Sequence, residues 1–299
     1  MSKKNSSVIL RSGFKNFKDL SSIFLNFKKK LDELNKKSYT VAVSGGPDSL
    51  ALVALTKAYS FTKKTEFRYV LINHNIRKDS AKEAKQVKNL LKKNKINLNI
   101  FENKKKIKKN FQGLARNIRY EILSNYCKKI KNNTLLTAHN LEDQVETFFI
   151  RLSRGSGLKG LSSMRYSSKL NSEVNLYRPL LDVRKKFLIK ISKNVFSKYF
   201  KDPSNKDSKY LRTKIRNLEK PLEKSGIEYE QIIKSINNLA LSKATLDEYL
   251  KKISKDVIKK KGKEVLLNRK KFEQYNVEIK ISLICESIKK LKDNYYDPR

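Results

Sequence analysis

A Gly-rich turn with hydroxyl and carboxyl side chains lies between an apolar, β-branched run and an apolar stretch of helical length. It reads Ser44-Gly45-Gly46-Pro47-Asp48-Ser49. Gly45 and Gly46 let the backbone approach a ligand closely, so that several amide N–H groups can converge on one anion. Ser44 and Ser49 add hydroxyl donors, and the helix that follows directs its positive dipole end toward the same point. The pattern predicts a pyrophosphate-binding cradle.

Two common phosphate-binding motifs are excluded for this turn. No Gly-Lys-Ser/Thr closes it, as in a Walker A loop, and it is not the Gly-x-Gly-x-x-Gly of dinucleotide-binding folds. The alternative interpretation is an ordinary Gly turn between a strand and a helix.

The two histidines of the chain each follow a predicted strand. His74 comes after the strand at 67–73, and His139 comes after the strand at 134–138. The carboxyl ends of parallel strands meet at one edge of a sheet, where ligands bind. We therefore expect His74, His139 and the cradle on the same rim. For each histidine a purely structural role is the alternative.

Strands alternate with helices over the first two thirds of the chain. This alternation predicts an α/β fold with a doubly wound, Rossmann-like parallel sheet covered on both faces. The segment from 154 through the following Ser-rich stretch reads as a flexible basic loop, and Asp182 as the N-cap of a helix through about 196. The other predicted elements are helices at 20–36, from 79, at 111–130 and from 142, and a strand at 96–101.

Three regions follow from composition. Residues 1–20 read as a basic, partly ordered N-terminal arm, 21–220 as an α/β domain that contains the cradle, and 221–299 as a small helical domain without a convincing strand. Residues 103–110 are nearly all Lys and Asn, and 202–205 have turn chemistry. Near the boundary, Arg212, Lys214 and Arg216 place three cations within five residues, with the two arginines on one helical face. A solvated basic face is the alternative.

The charge balance points to a polyanionic partner. Lys and Arg number 69 against 29 Asp and Glu, a formal charge of +40, which favours RNA or DNA binding. A general bias toward Lys, Asn and Ile is the alternative source of this charge. Cys127 and Cys285 form no Cys-x-x-Cys, which argues against a disulfide framework or zinc site and fits a reducing cytoplasm. No apolar run is long enough to span a bilayer, so we expect a soluble protein without a membrane partner.

Taken together, these segments resemble the tRNA(Ile)-lysidine synthase family of the PP-loop N-type ATP pyrophosphatases. The cradle alone resembles only the superfamily; the ordered set is specific. Its further elements are Asn73-His74-Asn75-Ile76-Arg77, Ala115 to Tyr120, Thr137 to Thr147, Gly155-Ser156-Gly157, Arg178-Pro179-Leu180-Leu181 and the 202–216 segment.

The chain departs from the family pattern at several positions. Asn73 replaces an acid, Asn140 stands where a second His is usual, and Glu142 replaces the first Asp of its segment. Thr213-Lys214 stands where Asn-Arg is usual. The chain is short and resembles the compact form with one small C-terminal domain, and its abrupt end leaves a missing tail open.

The resemblance implies a ligase that forms a carbon–nitrogen bond. ATP adenylates the C2 oxygen of the wobble cytidine in tRNA(Ile) with a CAU anticodon, and free L-lysine displaces AMP to give lysidine. The resemblance also implies a role for each site residue. Ser44, Gly45, Gly46, Pro47, Asp48 and Ser49 would hold the ATP phosphates, Asp48 and Asp143 would bind Mg²⁺, Arg119 would steady the transferring phosphate, His139 would position groups or move a proton, Glu146 would receive the lysine ammonium, and Arg212, Lys214, Arg216 and residues 221–299 would bind tRNA.

Two rival functions remain open at this stage. One is a PP-loop tRNA thiolation enzyme, which Cys127 disfavours because it lies in a predicted helix without a cysteine partner nearby. The other is a non-catalytic RNA-binding protein with a vestigial nucleotide site, which the combination of Asp48, His139, Asp143 and Glu146 disfavours. For the carboxylates, helix-start electrostatics is the alternative. A homodimer is one assembly state that the sequence leaves open.

Overall fold

The computed structural model describes residues 3–76, 79–103, 111–200 and 211–292. Arg77, most of the Lys/Asn-rich segment and the predicted turn at 202–205 lie outside the described residues. The chain forms two compact units. Residues 1–150 and 164–229 make the first, and residues 151–163 and 230–299 make the second. The predicted boundary near 220 thus falls about nine residues before the division at 229/230.

Helices and strands alternate in the first unit, as predicted. In chain order the elements up to its internal break are α1 Lys3–Arg11, α2 Lys18–Leu34, β1 Ser38–Val43, α3 Pro47–Tyr59, β2 Glu66–Asn73, α4 Ser80–Lys93, β3 Leu98–Glu102, α5 Phe111–Lys129, β4 Thr134–Leu136 and α6 Leu141–Leu152. The short helix α7 Leu158–Leu161 follows, and then β5 Ser167–Lys169, β6 Asn175–Tyr177, α8 Lys185–Phe196, α9 Leu211–Arg216 and α10 Glu219–Lys224.

One six-stranded sheet organises this unit. Its order is β3-β2-β1-β4-β6-β5. The strands β3, β2, β1, β4 and β6 pair in parallel, and the edge strand β5 runs antiparallel to β6. The chain runs outward from β1 to β2 and β3 and then returns to β4 on the other side of β1, so the strand order reverses between β1 and β4. Doubly wound sheets bind their ligands at such a point. The predicted doubly wound parallel sheet is confirmed.

The sheet is covered on both faces because its strands are apolar on both. Along β1, Val41 and Val43 enter one core with α2, α3, α4 and α8, while Ala42 packs against a second core on α5. Residues Leu50 to Leu55 of α3 are all fully buried. An Ala/Leu-rich helix with Pro47 at its first position is suited to such a central place, because it needs no polar face.

The structure corrects three expectations in this unit. The expected arm contains α1, and Leu10 and Phe14 lie in the core as anchors. The expected basic loop contains the strands β5 and β6, which were not predicted. Helix α8 begins after Arg184, and Asp182 does not cap it. The Asp182 carboxylate accepts hydrogen bonds from Lys30 and Asn26 of α2.

The second unit is mainly helical, as predicted, and contains a hairpin that was not predicted. Its elements are α7, most of α11 Tyr229–Val257, β7 Ile258–Lys261, β8 Glu264–Leu267, α12 Arg269–Glu273 and α13 Val277–Lys292. The strands β7 and β8 pair antiparallel around Gly262, whose φ of +61° suits glycine. Its core includes Val257, Ile258 and Leu283. None of the helices in the described residues combines the length and apolar character that crossing a bilayer requires.

Candidate active site

The predicted cradle lies at the carboxyl end of β1, where the chain turns into α3. Gly45 has a φ of +84°, which L side chains rarely adopt. A Cβ atom on Gly45 would also lie 2.6 Å from Cγ2 of Val87 on α4. Glycine is required here for both reasons. The N–H groups of the first turn of α3 have no partner within the helix, so they are available to an anion.

The two serine hydroxyls hold the turn in shape. Ser49 Oγ accepts hydrogen bonds from the Ser44 N–H and from Ser44 Oγ, both at 3.1 Å. It donates to the Gly46 carbonyl at 3.0 Å. Ser49 is buried and Ser44 is exposed. The hydroxyls thus organise the cradle, and direct donation to phosphate stays a prediction.

Asp48 is a carboxylate that the protein leaves partly unsatisfied. Its Oδ1 is buried and has no hydrogen-bond partner within the described residues. Its Oδ2 lies 3.7 Å from Lys185 Nζ. Burial raises the pKa of Asp48 to about 6, and the nearby Asp143 adds to this shift while Lys185 opposes it. A buried carboxylate oxygen without a donor marks a position suited to a cation.

Helix α6 begins with a reciprocal cap that points Asp143 toward the same rim. The Asn140 side chain accepts from the Asp143 N–H at 2.9 Å, and Asp143 Oδ2 accepts from the Asn140 N–H at 3.1 Å. This is a capping box with Asn at the N-cap. Asn140, which departs from the family pattern, therefore has a defined role. Asp143 Oδ1 lies 3.9 Å from Arg212 Nη2.

His139 lies directly before this cap in a cationic environment. Its Nδ1 is 3.0 Å from Thr137 Oγ1. Burial lowers the pKa of His139 to about 4; the Asp143 carboxylate opposes the shift, and Arg178, Arg116 and Arg212 add to it. The imidazole is therefore neutral near pH 7 and can donate or accept a hydrogen bond without carrying charge.

Glu146 is the most buried acid of the rim, with 1% exposure. Its Oε2 accepts from Arg212 Nε and its Oε1 from Arg216 Nε, both at 2.7 Å. We call these three residues the arginine clamp. It confirms that Arg212 and Arg216 share one helical face, and it shows that their shared partner is Glu146. Lys214, on the other face of α9, is exposed.

Helix α5 brings its two arginines to both histidines. Arg119 is exposed and lowers the pKa of His74, although burial is the larger cause and brings that pKa to about 4. Neither ring nitrogen of His74 has a partner in the described part of the chain. Arg116 acts electrostatically on His139 and lies over the Tyr120 ring at 5.1 Å. The cradle, His74 and His139 follow β1, β2 and β4, and these strands pair in parallel, so all three lie at the carboxyl ends of neighbouring strands as expected.

Two site residues were missed from the sequence. Lys185 reaches Asp48, and its backbone N–H donates to Glu142 Oε2 at 2.9 Å. Glu142 is 12% exposed in its side chain, and burial raises its pKa to about 7. A lysine at the start of a predicted helix gave no signal by itself. Only the packing of α8 on α3, with Ser192 Oγ bonded to the Pro47 carbonyl at 2.5 Å, brings it to the cradle.

The cysteine of the first unit takes no part in this site. Cys127 is fully buried in the core on α5, and burial raises the pKa of its thiol. Cys285 belongs to α13 in the second unit. The first unit therefore offers no cysteine at the rim, since Cys127 is its one cysteine and is described.

A strand–cradle–helix unit on a doubly wound sheet, with an acidic residue in the first turn of the helix, defines a PP-loop nucleotide-binding protein. Residues 20–222 match the PP-loop domain family, which is about two thirds of the chain. The chain belongs to this family.

Its curated relatives are lysidine synthases, as the sequence resemblance predicted. The chain is 35% identical over 263 residues to "tRNA(Ile)-lysidine synthase" of Wolbachia pipientis wMel, covering 87% of this chain and 61% of that protein. It is 40% identical over 183 residues to the protein of the same name from Orientia tsutsugamushi strain Boryong, covering 61% of this chain and 41% of that one. The chain thus spans less than two thirds of either relative.

A solved structure shares the fold. The U34-tRNA thiolase NcsA from Methanococcus maripaludis, solved with its [4Fe-4S] cluster, superposes with a TM-score of 0.62 at 20% identity, covering 74% of this chain and 79% of that one. At this identity the likeness concerns the fold alone.

Proposed function

We propose that the chain carries out the reaction of a tRNA(Ile)-lysidine synthase. In the first step, the C2 oxygen of the wobble cytidine in tRNA(Ile) with a CAU anticodon attacks the α-phosphorus of ATP. The bond to the β-phosphate breaks, and pyrophosphate leaves. In the second step, the side-chain amine of free L-lysine attacks C2, the C2–oxygen bond breaks, and AMP leaves. The cytoplasm, where these three substrates meet, is the proposed location.

One structural observation supports this proposal in addition to the similarity to the relatives. The cradle, Asp48, Asp143, His139 and the arginine clamp belong to one compact unit, and Asp143 connects them, since it acts electrostatically on Asp48 and His139 and pairs with Arg212. A nucleotide-binding turn and a buried acid–base cluster are what a two-step adenylation and displacement needs at one place.

The donor set fits magnesium. Asp48 offers a buried oxygen without a donor, and Asp143 offers Oδ1 while its Oδ2 serves the cap. The described residues hold no group of three or more His, Cys, Asp or Glu arranged for a metal. Two carboxylates suit Mg²⁺, which takes its remaining ligands from phosphates and water. When bound, the ion would neutralise charge on the triphosphate.

The histidine and the clamp have separate tasks. His139 is neutral near pH 7, so it would hold the cytidine by a hydrogen bond more readily than it would store a proton. Arg119 and Arg116 on α5 would face the transferring phosphate. Glu146 would exchange one arginine for the lysine ammonium, because both of its oxygens are engaged in the clamp. A homodimer stays a prediction.

The direct test supplies ATP, radiolabelled lysine and tRNA(Ile) with a CAU anticodon to the purified chain. Label should enter this RNA and should be absent from an elongator tRNA(Met) control, with one AMP and one pyrophosphate released per lysine. Asp143→Asn should abolish incorporation while still binding tRNA. Release of ADP, or AMP formation without label in the RNA, would overturn the proposal.

A further inference from the structure

We propose that the Lys185 ammonium binds the pyrophosphate portion of ATP and stabilises it as it leaves. This role rests on the proposed adenylation. Lys185 would supply the cationic side chain that the residues of the cradle lack. Residues 44–49 contain no lysine or arginine. Apart from the proposed magnesium ion, the cradle itself would offer only backbone N–H groups and hydroxyls to the charge that develops on the departing β-phosphate, and enzymes commonly place a cationic side chain at that position.

Lys185 is the cation that the structure holds against this turn. Its Nζ lies 3.7 Å from Oδ2 of Asp48, which belongs to the cradle and is the acidic residue of the first turn of α3. Among the groups that act electrostatically on Asp48, the cations are Lys185 and Arg216. Arg216 is committed to Glu146 at 2.7 Å. Within the described residues, the Lys185 ammonium makes only the 3.7 Å ion pair with Asp48, so its N–H donors remain available to a ligand.

The backbone of Lys185 is fixed, so its side chain starts from a defined point. The Lys185 N–H donates to Glu142 on α6, and α8 is tied to the start of α3 by the bond from Ser192 to Pro47. The beginnings of α3, α6 and α8 therefore meet around Lys185. Each carries a positive dipole end, which adds to the attraction of the ammonium for a polyanion.

The neighbouring cation shows what a structural role looks like. Arg184 lies 3.4 Å from Glu219, 3.9 Å from both Glu142 and Glu223, and stacks over the Tyr229 ring at 5.3 Å. Three carboxylates and a ring hold it in place. Lys185, one residue later, meets a single carboxylate at long range and is 32% exposed. This difference separates a packing cation from one kept for a ligand.

Binding of three probes to the full chain tests the proposal without RNA or lysine. Calorimetric titration with inorganic pyrophosphate, ATP and AMP, each with magnesium, should show that Lys185→Met weakens pyrophosphate and ATP about tenfold or more, with AMP changed less than twofold. Lys185→Arg should restore most of the loss. Lys186→Met is the matched control, because Lys186 is the next residue of α8 and its Nζ lies over the Phe187 ring.

Each outcome decides the question. Equal weakening of AMP and pyrophosphate would show a general electrostatic or folding effect and overturn the assignment, as would unchanged pyrophosphate binding. Thermal melts of Lys185→Met and Lys186→Met would reveal a folding defect in either variant. Because no arm contains tRNA or lysine, a failure of the lysidine reaction would leave this result intact, and a failure here would leave that reaction intact.

Discussion

Two carboxylates of the same site are treated in opposite ways. Glu146 in the arginine clamp has both oxygens bonded at 2.7 Å. Asp48 has one buried oxygen without a partner and the other 3.7 Å from Lys185; we call Asp48 and Lys185 the Asp48 pair. Since an unpaired buried charge is costly, a protein keeps one only where something else completes it. The clamp is complete within the protein, whereas we propose that a ligand completes the Asp48 pair.

The largest expected effect comes from neutralising the open carboxylate. Asp48→Asn should lower the rate of pyrophosphate release by about a hundredfold or more, because the metal and its charge neutralisation are lost. Stability should not suffer. Burial raises the native pKa of Asp48 to about 6, so its ionisation lowers stability as pH rises from 3.8 to about 6. Urea unfolding at pH 8 should find the variant at least as stable as the parent.

Neutralising Glu146, the carboxylate of the arginine clamp, should have the opposite pattern, with a larger effect on stability than on the rate of pyrophosphate release. Glu146→Gln leaves two arginines facing a neutral amide and should cost roughly 2–4 kcal/mol of unfolding free energy, below a fully buried triad because the arginines stay about a third exposed. Glu33→Gln, on an exposed face of α2, is the matched control and should change little. If Glu146→Gln destabilised no more than Glu33→Gln, the comparison between clamp and Asp48 pair would fail.

The same variant separates the two chemical steps. If Glu146 receives the lysine ammonium, Glu146→Gln should form adenylated tRNA and then fail to consume it. A quench experiment with ATP labelled at the α-phosphate should show label on the RNA that persists after lysine is added. Clearance of that label at the parent rate would restrict Glu146 to holding the arginines.

His139 tests the neutral part of the site at a smaller scale. Its native pKa is about 4 against 6.5 unfolded, so the unfolded chain takes up a proton first, and stability is lost as pH falls from 6.5 to 4. Between pH 6.5 and 4, the unfolding free energy of His139→Gln should fall by about 1–3 kcal/mol less than that of the parent. Urea unfolding midpoints of the variant and the parent at several pH values measure this difference. The opposite pH dependence that Asp48 and Glu142 contribute cancels in the difference, because both proteins contain these two residues. Parallel curves would contradict a buried, neutral imidazole.

The smallest effect concerns the cations of α9. Lys214 is exposed, while Arg216 is held by Glu146. Lys214→Gln should therefore lower the slope of log tRNA affinity against log salt by roughly 0.7–0.9, as expected for one lost phosphate contact, and Arg216→Gln by less. Binding titrations at several salt concentrations measure both slopes. A larger loss for Arg216 would show that tRNA opens the arginine clamp.

Local pattern was enough to predict most of the fold. The doubly wound sheet follows from apolar strands that alternate with helices, and the cradle follows from glycines where only glycine fits, as the φ of +84° at Gly45 confirms. The β5–β6 strands and the β7–β8 hairpin escaped because they are short and because β5 and β7 consist mainly of Ser and Lys, without the apolar run that revealed the equally short β4. Asp182 looked like a helix cap, but a lysine 152 residues earlier in the chain takes its carboxylate.

For the cradle, His74, His139 and Asp143, the sequence by itself predicted a shared rim, because each follows a parallel strand or opens the next helix, and such positions lie at one edge of the sheet. It did not determine how the charges pair. Lys185 reaches Asp48, and Arg212 and Arg216 close on Glu146 across 66 and 70 residues, only because α8 packs on α3 and α9 meets α6. Ion pairing depends on distances of a few ångströms between segments far apart in the chain, and those distances exist only once the tertiary structure has formed.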